Sequence, residues 1–128
     1  VSEPVKTVEI FQKSSSPLTY VAGQTIFEEG ETGSVMYGII QGEVELVVDG
    51  KVVETITAGD VFGEGALVQP EHDRASTAIA KTDCIIACLD RERFLFAIEN
   101  TPMFAIDVLR SYSNRARRLK RMVAFYLQ

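Results

Sequence analysis

The sequence predicts a mainly β domain, an antiparallel sandwich or barrel with helices at both ends, and three observations carry this expectation. From Leu18 to Leu89, short apolar runs are punctuated by Gly23, Gly30, Gly33, Gly42, Gly50, Gly59 and Gly63, the regular spacing of short strands and turns. Outside that interval the apolar residues fall at helical spacing. The chain has 128 residues, 46% hydrophobic and 24% charged, which suits one compact domain with a real core. Such a composition excludes disorder, a collagen-like repeat and a low-complexity chain, and the length excludes a second, catalytic domain. No run approaches the roughly 18 apolar residues of a membrane span, and no apolar signal segment opens the chain. A soluble, cytoplasmic protein with no membrane role is therefore expected. The first residue is Val1 rather than Met, compatible with a trimmed start or excision from a longer protein.

The chain reads as a single domain, 1–128, in three stretches. In 1–17, Val5, Val8 and Phe11 predict a short helix that Ser14-Ser15-Ser16-Pro17 ends. In 18–89, Val44, Leu46 and Val48 alternate with Glu43, Glu45 and Asp49, interrupted only at Val47. Asp49-Gly50 then supplies a tight hairpin into Lys51-Val52-Val53. Thr82 to Leu89 reads as one strand, which sets Cys84 and Cys88 roughly 13 Å apart, beyond disulfide reach. They read as core cysteines in a reducing compartment, and with one histidine in the chain no metal site is expected. In 90–127, Asp90 caps a short helix carrying Phe94, Leu95 and Ile98, and Thr101-Pro102 opens a longer one. There Leu109, Tyr112, Ala116, Leu119, Val123 and Tyr126 recur at alternating spacings of three and four, a coiled-coil seam that pairs either with a second copy or with the chain's own barrel.

Charge is unevenly placed. Residues 1–109 hold seven basic and eighteen acidic side chains, whereas 110–128 hold six basic and no acidic ones. A basic tail is read either as a nucleic-acid footprint or as the solvated face of an amphipathic helix. With no recognition helix following it, specific nucleic-acid binding is not expected. The residues name no downstream effector.

The chemistry concentrates in Gly59-Asp60-Val61-Phe62-Gly63-Glu64-Gly65-Ala66-Leu67 and in the Asp73-Arg74-Ala75-Ser76-Thr77 that follows. Small residues permit close backbone approach, so a turn opening near Gly63 can present N–H groups to an anion. Arg74, the single Arg in residues 1–90, offers a planar fork for phosphate, and Glu64 can accept from a sugar hydroxyl. Taken alone this is equally a plain loop with a surface Arg. His72, between Glu71 and Asp73, reads as an exposed loop histidine or as a group titrating near the phosphate. Phe125 and Tyr126 read as a lid over a base, or Tyr126 as the end of the seam.

These residues resemble the cyclic-nucleotide-binding domain family, and the likeness covers almost the whole chain. It is carried by Ala22-Gly23-Gln24-Thr25-Ile26-Phe27-Glu28-Glu29-Gly30-Glu31-Thr32-Gly33, by Met36-Tyr37, Gly42-Glu43-Val44 and Gly59-Asp60, and by Phe62-Gly63-Glu64 through Arg74-Ala75. The stretch from Phe94 to Leu119, with Pro102 and Ala116-Arg117-Arg118-Leu119, looks most like the bacterial regulators related to the catabolite activator, without their helix-turn-helix. The resemblance implies an antiparallel β-roll of double-stranded jelly-roll type with flanking helices and a phosphate-binding cassette at 62–76. It implies a cyclic-nucleotide sensor, not an enzyme, acting as a homodimer through the C-terminal helix, with no catalytic residue, metal or cofactor. The implied ligand-binding set is Phe62, Gly63, Glu64, Gly65, Ala66, Arg74, Ala75 and Ser76. Arg74 would pair with the cyclic phosphate, Glu64 with the ribose 2′-hydroxyl, and the amides from Gly63 to Ala66 would cap the phosphate. Ala75 resembles the pattern of cyclic-AMP binders, which makes cyclic GMP the lesser ligand. Ser76, one residue on, faces the other side of its strand and reads as structural. Gly65 and Gly38 depart from the family pattern and imply a looser cassette, and Met122 and Val123 stand where relatives place base-reading hydroxyls. The alternative reading is a non-binding β-roll scaffold or assembly module.

Overall fold

The structure, a computed structural model, describes residues 3–14 and 16–128; Val1 and Ser15 of the expected helix-ending turn lie outside the described residues. The chain runs α1 (Pro4–Phe11), β1 (Leu18–Tyr20), β2 (Thr25–Phe27), β3 (Val35–Gln41), β4 (Glu43–Val48), β5 (Lys51–Thr57), β6 (Val61–Phe62), α2 (Gly65–Val68), β7 (Thr77–Ala80), β8 (Cys84–Asp90), α3 (Arg91–Asn100) and α4 (Met103–Tyr126). Two four-stranded antiparallel sheets form, in the orders β1-β8-β3-β6 and β2-β7-β4-β5. They face one another as an open roll, so the expected choice between sandwich and barrel resolves to two sheets.

Alternation along β3 and β8 explains the layers. Tyr37, Ile39, Cys84 and Ile86 point between the sheets to join Phe27, Val44, Leu46, Ile56 and Phe62. Met36, Ala87 and Leu89 point outward, where Val8, Phe94, Ala97, Phe104 and Val108 of the helices cover them. A strand buried on both faces reads as a continuous apolar run, as 35–40 does before the exposed Gln41. Gly38 lies on the helix side of β3: a β-carbon there would stand 2.9 Å from Val5 Cγ2, so this glycine seats α1 directly on the sheet. The space at Gly38, from which a looser cassette is expected, is filled by Val5.

The hairpin forms where expected, with Asp49 and Gly50 at φ 52° and 72°, the left-handed pair a tight I′ turn requires. The interruption at Val47 also has a structural counterpart. Leu46 pairs with Glu54 but Val47 with Val52, so β5 carries one extra residue, Val53, in a bulge. Asp90 caps α3 by accepting from the Arg93 amide at 2.8 Å, as expected. Thr101 differs from expectation: its backbone carbonyl, rather than its side chain, receives the Phe104 amide at 2.9 Å, and α4 begins at Met103. No helix among the described residues is long and apolar enough to cross a membrane.

Candidate functional site

Arg74 is held by its surroundings before any ligand is considered. The β2–β3 loop runs antiparallel to the segment before β7: Gly30 N donates to Arg74 O at 2.8 Å, Arg74 N to Glu31 O at 2.8 Å, and Gly33 N to His72 O at 2.7 Å. This is what the Glu28 to Gly33 stretch does. It gives an irregular segment the stiffness of a strand pair. The guanidinium then folds inward, donating from Nη1 to Gly63 O and from Nη2 to Val35 O, both at 2.7 Å, over the Phe27 ring at 4.2 Å. A side chain at Gly33 would collide with it, and a β-carbon at Gly63 would stand 2.8 Å from Nη1. Arg74 is 5% exposed, and burial pulls its pKa down without discharging it.

Glu64 is buried more completely, at 1% exposed. Its partner comes from α4: Arg115 Nη1 donates to Glu64 Oε1 at 3.2 Å. The same guanidinium donates to both Glu54 oxygens on β5, from Nε at 2.8 Å and from Nη2 at 3.2 Å. Arg115 therefore ties the cassette, β5 and α4 together. Burial raises the Glu64 pKa, and Arg115 opposes that rise. Burial lowers the Arg115 pKa, but its bonds to Glu54 and the charge of Glu64 outweigh this and leave it raised. Glu64 Oε2 has no hydrogen-bond partner among the described residues. Ser111, also on α4, donates to Asp60 Oδ1 in a short bond just before β6.

A cleft of about 200 Å³ lies between these groups, lined by Gly63, Gly65, Ala66, Arg74 and Ala75, with Tyr112 and Arg115 of α4 as its outer wall. Five of the eight expected residues thus line one cavity, and Glu64 is joined to it through Arg115. Phe62 does not line it: the ring is fully buried, stacked on Tyr37 at 5.1 Å, and anchors the cassette from the core. Ser76 is also absent from the lining. Ala66 donates its amide back to Gly63 O at 3.4 Å. His72 adopts φ 59°, and its Nδ1–H donates to Ala66 O at 2.8 Å, so the ring is tied to α2.

Sequence reasoning missed Arg115, Tyr112 and Glu54. The spacing places Tyr112 in the helix seam, yet its hydroxyl stands beside Glu64 and its ring centre lies 5.0 Å from the Arg115 guanidinium carbon. The basic tail is not uniformly a solvated face, because Arg115 is 6% exposed. Met122 lines a separate groove with Val53 and Leu119, while Phe125 and Tyr126 are exposed and do not cover the cleft. The thiols of Cys84 and Cys88 are free and raised in pKa by burial. Among the described residues no group of three His, Cys, Asp or Glu side chains could hold a metal ion.

Residues 17–101 match the family model described as the cyclic nucleotide-binding domain. The cAMP-dependent protein kinase regulatory subunit of Schizosaccharomyces pombe is 40% identical over 95 residues, 73% of this chain and 22% of that protein. The chain thus spans a minor part of that relative. Among solved structures, the catabolite activator protein of Thermus thermophilus matches with a TM-score of 0.75 at 24% identity, over 98% of this chain and 60% of the other. At that identity the likeness is one of fold. A structure described as PKAR CBD2 bound to Sp-2Cl-cAMPS matches with a TM-score of 0.69 at 28% identity, over 94% of this chain and 88% of the other.

Proposed function

This chain belongs to the cyclic nucleotide-binding domain family, and on that premise we infer that it is a regulatory module that binds a cyclic nucleotide monophosphate, cyclic AMP in preference, in the cleft between the cassette and α4. The observation that carries the reading is the state of Arg74. It is a buried cation that commits two donors to backbone carbonyls and has no ion pair among the described residues. The charges of Glu31 and Glu64 act on it without closing an ion pair, so it still lacks a direct anionic partner, and a monoanionic phosphate supplies one. Glu64 is the complement: one oxygen is held by Arg115, and the other suits a sugar hydroxyl better than a second anion. A ribose cyclic phosphate carries both groups on one ring.

This is a binding module rather than an enzyme, like the regulatory subunit it resembles. Its expected place is the cytoplasm, and neither a membrane nor specific nucleic-acid contact forms part of the reading. The cleft is smaller than the roughly 300 Å³ at which small-molecule sites usually begin, and α4 forms its outer wall. Ligand entry therefore moves α4 against the roll, with residues 90–102 as the hinge. Calorimetric titration with cyclic AMP, cyclic GMP and 5′-AMP tests this. Cyclic AMP should bind about tenfold more tightly than cyclic GMP, a difference of about 1.4 kcal/mol, and 5′-AMP more weakly than either. A chain that binds none of them is a scaffold instead.

The same reading includes a homodimer through α4. The helix buries Phe104, Val108, Ser111 and Arg115 against its own roll. Part of the seam lies on another face, with Leu109 63% exposed, Val123 56% and Tyr126 76%, while Tyr112 and Leu119 line clefts against the chain's own roll. For those three residues the exposure favours a second copy over the chain's own roll as the partner. Sedimentation should show a dimer that Leu119→Glu converts to monomer; a wild-type chain that stays monomeric at high concentration would refute this assembly.

A further inference from the structure

We propose that Glu54 sets the ligand affinity of the cleft from outside it: with Arg115 it forms an autoinhibitory clasp that holds α4 shut over the cassette in the free chain. This rests on the reading of the cleft as a cyclic-nucleotide site and adds the contact that regulates entry to it. The clasp is nearly enclosed, with the Arg115 side chain 7% exposed and that of Glu54 16%. Both Glu54 oxygens are engaged, by a planar fork that tolerates little displacement of the helix against the strand.

The distribution of contacts along α4 makes this a latch. Near the hinge at 90–102 the helix is held by apolar side chains: Phe104, whose ring meets that of Phe94 edge-on at 6.0 Å, and Val108. Farther out it is held by polar ones. Ser111 donates to Asp60, and Arg115 donates to Glu54, to Glu64 and, at 3.3 Å, to Val61 O. Arg115 is the last buried residue of the helix, and beyond it only Leu119 among the described residues is even half-buried. It stands about 20 Å along the axis from Pro102, at about 1.5 Å per residue, so a small rotation at the hinge displaces it farther than any other buried residue of α4. Apolar contacts near the pivot survive such a rotation, and the clasp does not. Parting it costs less than removing one partner, because water reaches Arg115, Glu54 and Glu64 together and strands none of them. Arg115 also lines both the cleft beside Arg74 and the groove over β5 that Val53, Leu119 and Met122 complete, so moving it opens one into the other.

Glu54→Gln loosens the clasp while leaving Arg115 beside Glu64. In the full chain, calorimetric titration with cyclic AMP should give about threefold to tenfold tighter binding, the gain available when an open fraction of about a tenth is raised. Hydrogen exchange at the amides of 111–118 should quicken in the unliganded variant, since a helix released from the roll frays, while exchange in β3 and β8 keeps the parent's rate. Ser111→Ala removes the other polar contact without changing the charge and should also tighten cyclic AMP, which separates release of the helix from reduced repulsion of an anionic ligand. Affinity that is unchanged or falls in either variant, or α4 exchange that stays at the parent's rate, overturns the clasp while the cyclic-nucleotide reading stands. If the parent binds no nucleotide, that reading fails, and exchange in the free chain alone then decides whether Glu54 holds α4.

Discussion

Replacing Arg115 by Met is expected to lower the stability of the free chain by about 3–5 kcal/mol at neutral pH, the usual cost of stripping one partner from a buried ion pair. Met keeps most of the apolar volume but leaves Glu64 at 1% exposure with no cation beside it. The loss should depend on pH with a definite sign. Burial already holds the folded pKa of Glu64 above the ordinary carboxylate range, and Arg115 limits that rise. An acid with a raised folded pKa destabilises the fold as pH climbs from its unfolded value through its folded one, because the unfolded chain releases the proton first. Below the ordinary range both states are protonated and the penalty disappears. Removing Arg115 raises the folded pKa further. The deficit of the variant should therefore be small in mild acid and grow towards neutrality. Denaturant titrations across that interval measure it, and a deficit that does not change with pH would show that Glu64 is not what Arg115 stabilises.

The largest effect on binding is expected at Arg74. Truncating a guanidinium that meets a desolvated phosphate costs about 2–5 kcal/mol, so Arg74→Ala should weaken cyclic AMP by roughly 30-fold to several thousandfold. Arg74→Lys should recover only part of this. An ammonium restores the charge but cannot bridge Gly63 O and Val35 O while lying flat on Phe27, as the planar fork does. Arg93→Ala is the control and should stay within about threefold, since Arg93 is only half-buried and does not line the cleft. Arg91 is a poorer control because its Nε donates to Leu67 O of α2 at 3.3 Å. Unchanged affinity in Arg74→Ala would remove the cleft from consideration as the phosphate site.

Local features of the sequence were the most legible. Alternation along β4, Asp49-Gly50, the Asp90 cap and the Cys84 to Cys88 strand all depend on neighbours in the chain, and each appears where local chemistry places it. Even the break at Val47 marked the bulge opposite it. Arg74 and Glu64 were legible because an Arg is rare in the body of this chain and the turn before it is made of small residues. Arg115 was not, because its burial depends on carboxylates 61 and 51 residues away. On α4, Asp107, Ser111 and Arg115 follow a four-residue spacing that a solvated face would show equally well. The glycines at 38 and 65 were visible as departures, but what fills the space beside them is a matter of packing between elements, which spacing along the chain does not encode.

The pairing of the first strand with the last one bears on how the chain is made. Leu18 pairs with Ile86 and Tyr20 with Cys84, so the first sheet cannot close until β8 has left the ribosome. At about 5–20 residues per second, Arg74 emerges roughly 2–8 s ahead of Arg115. Glu64, 51 residues before Arg115, exists for roughly 2.5–10 s without the cation that later holds it, in a chain whose sheet pairings span long distances in sequence and form slowly. The two halves of the cleft are thus born apart, and the wall supplied by α4 arrives last. A nucleotide in the cell can reward the completed fold by mass action, but it meets no finished site that could guide the nascent chain towards it.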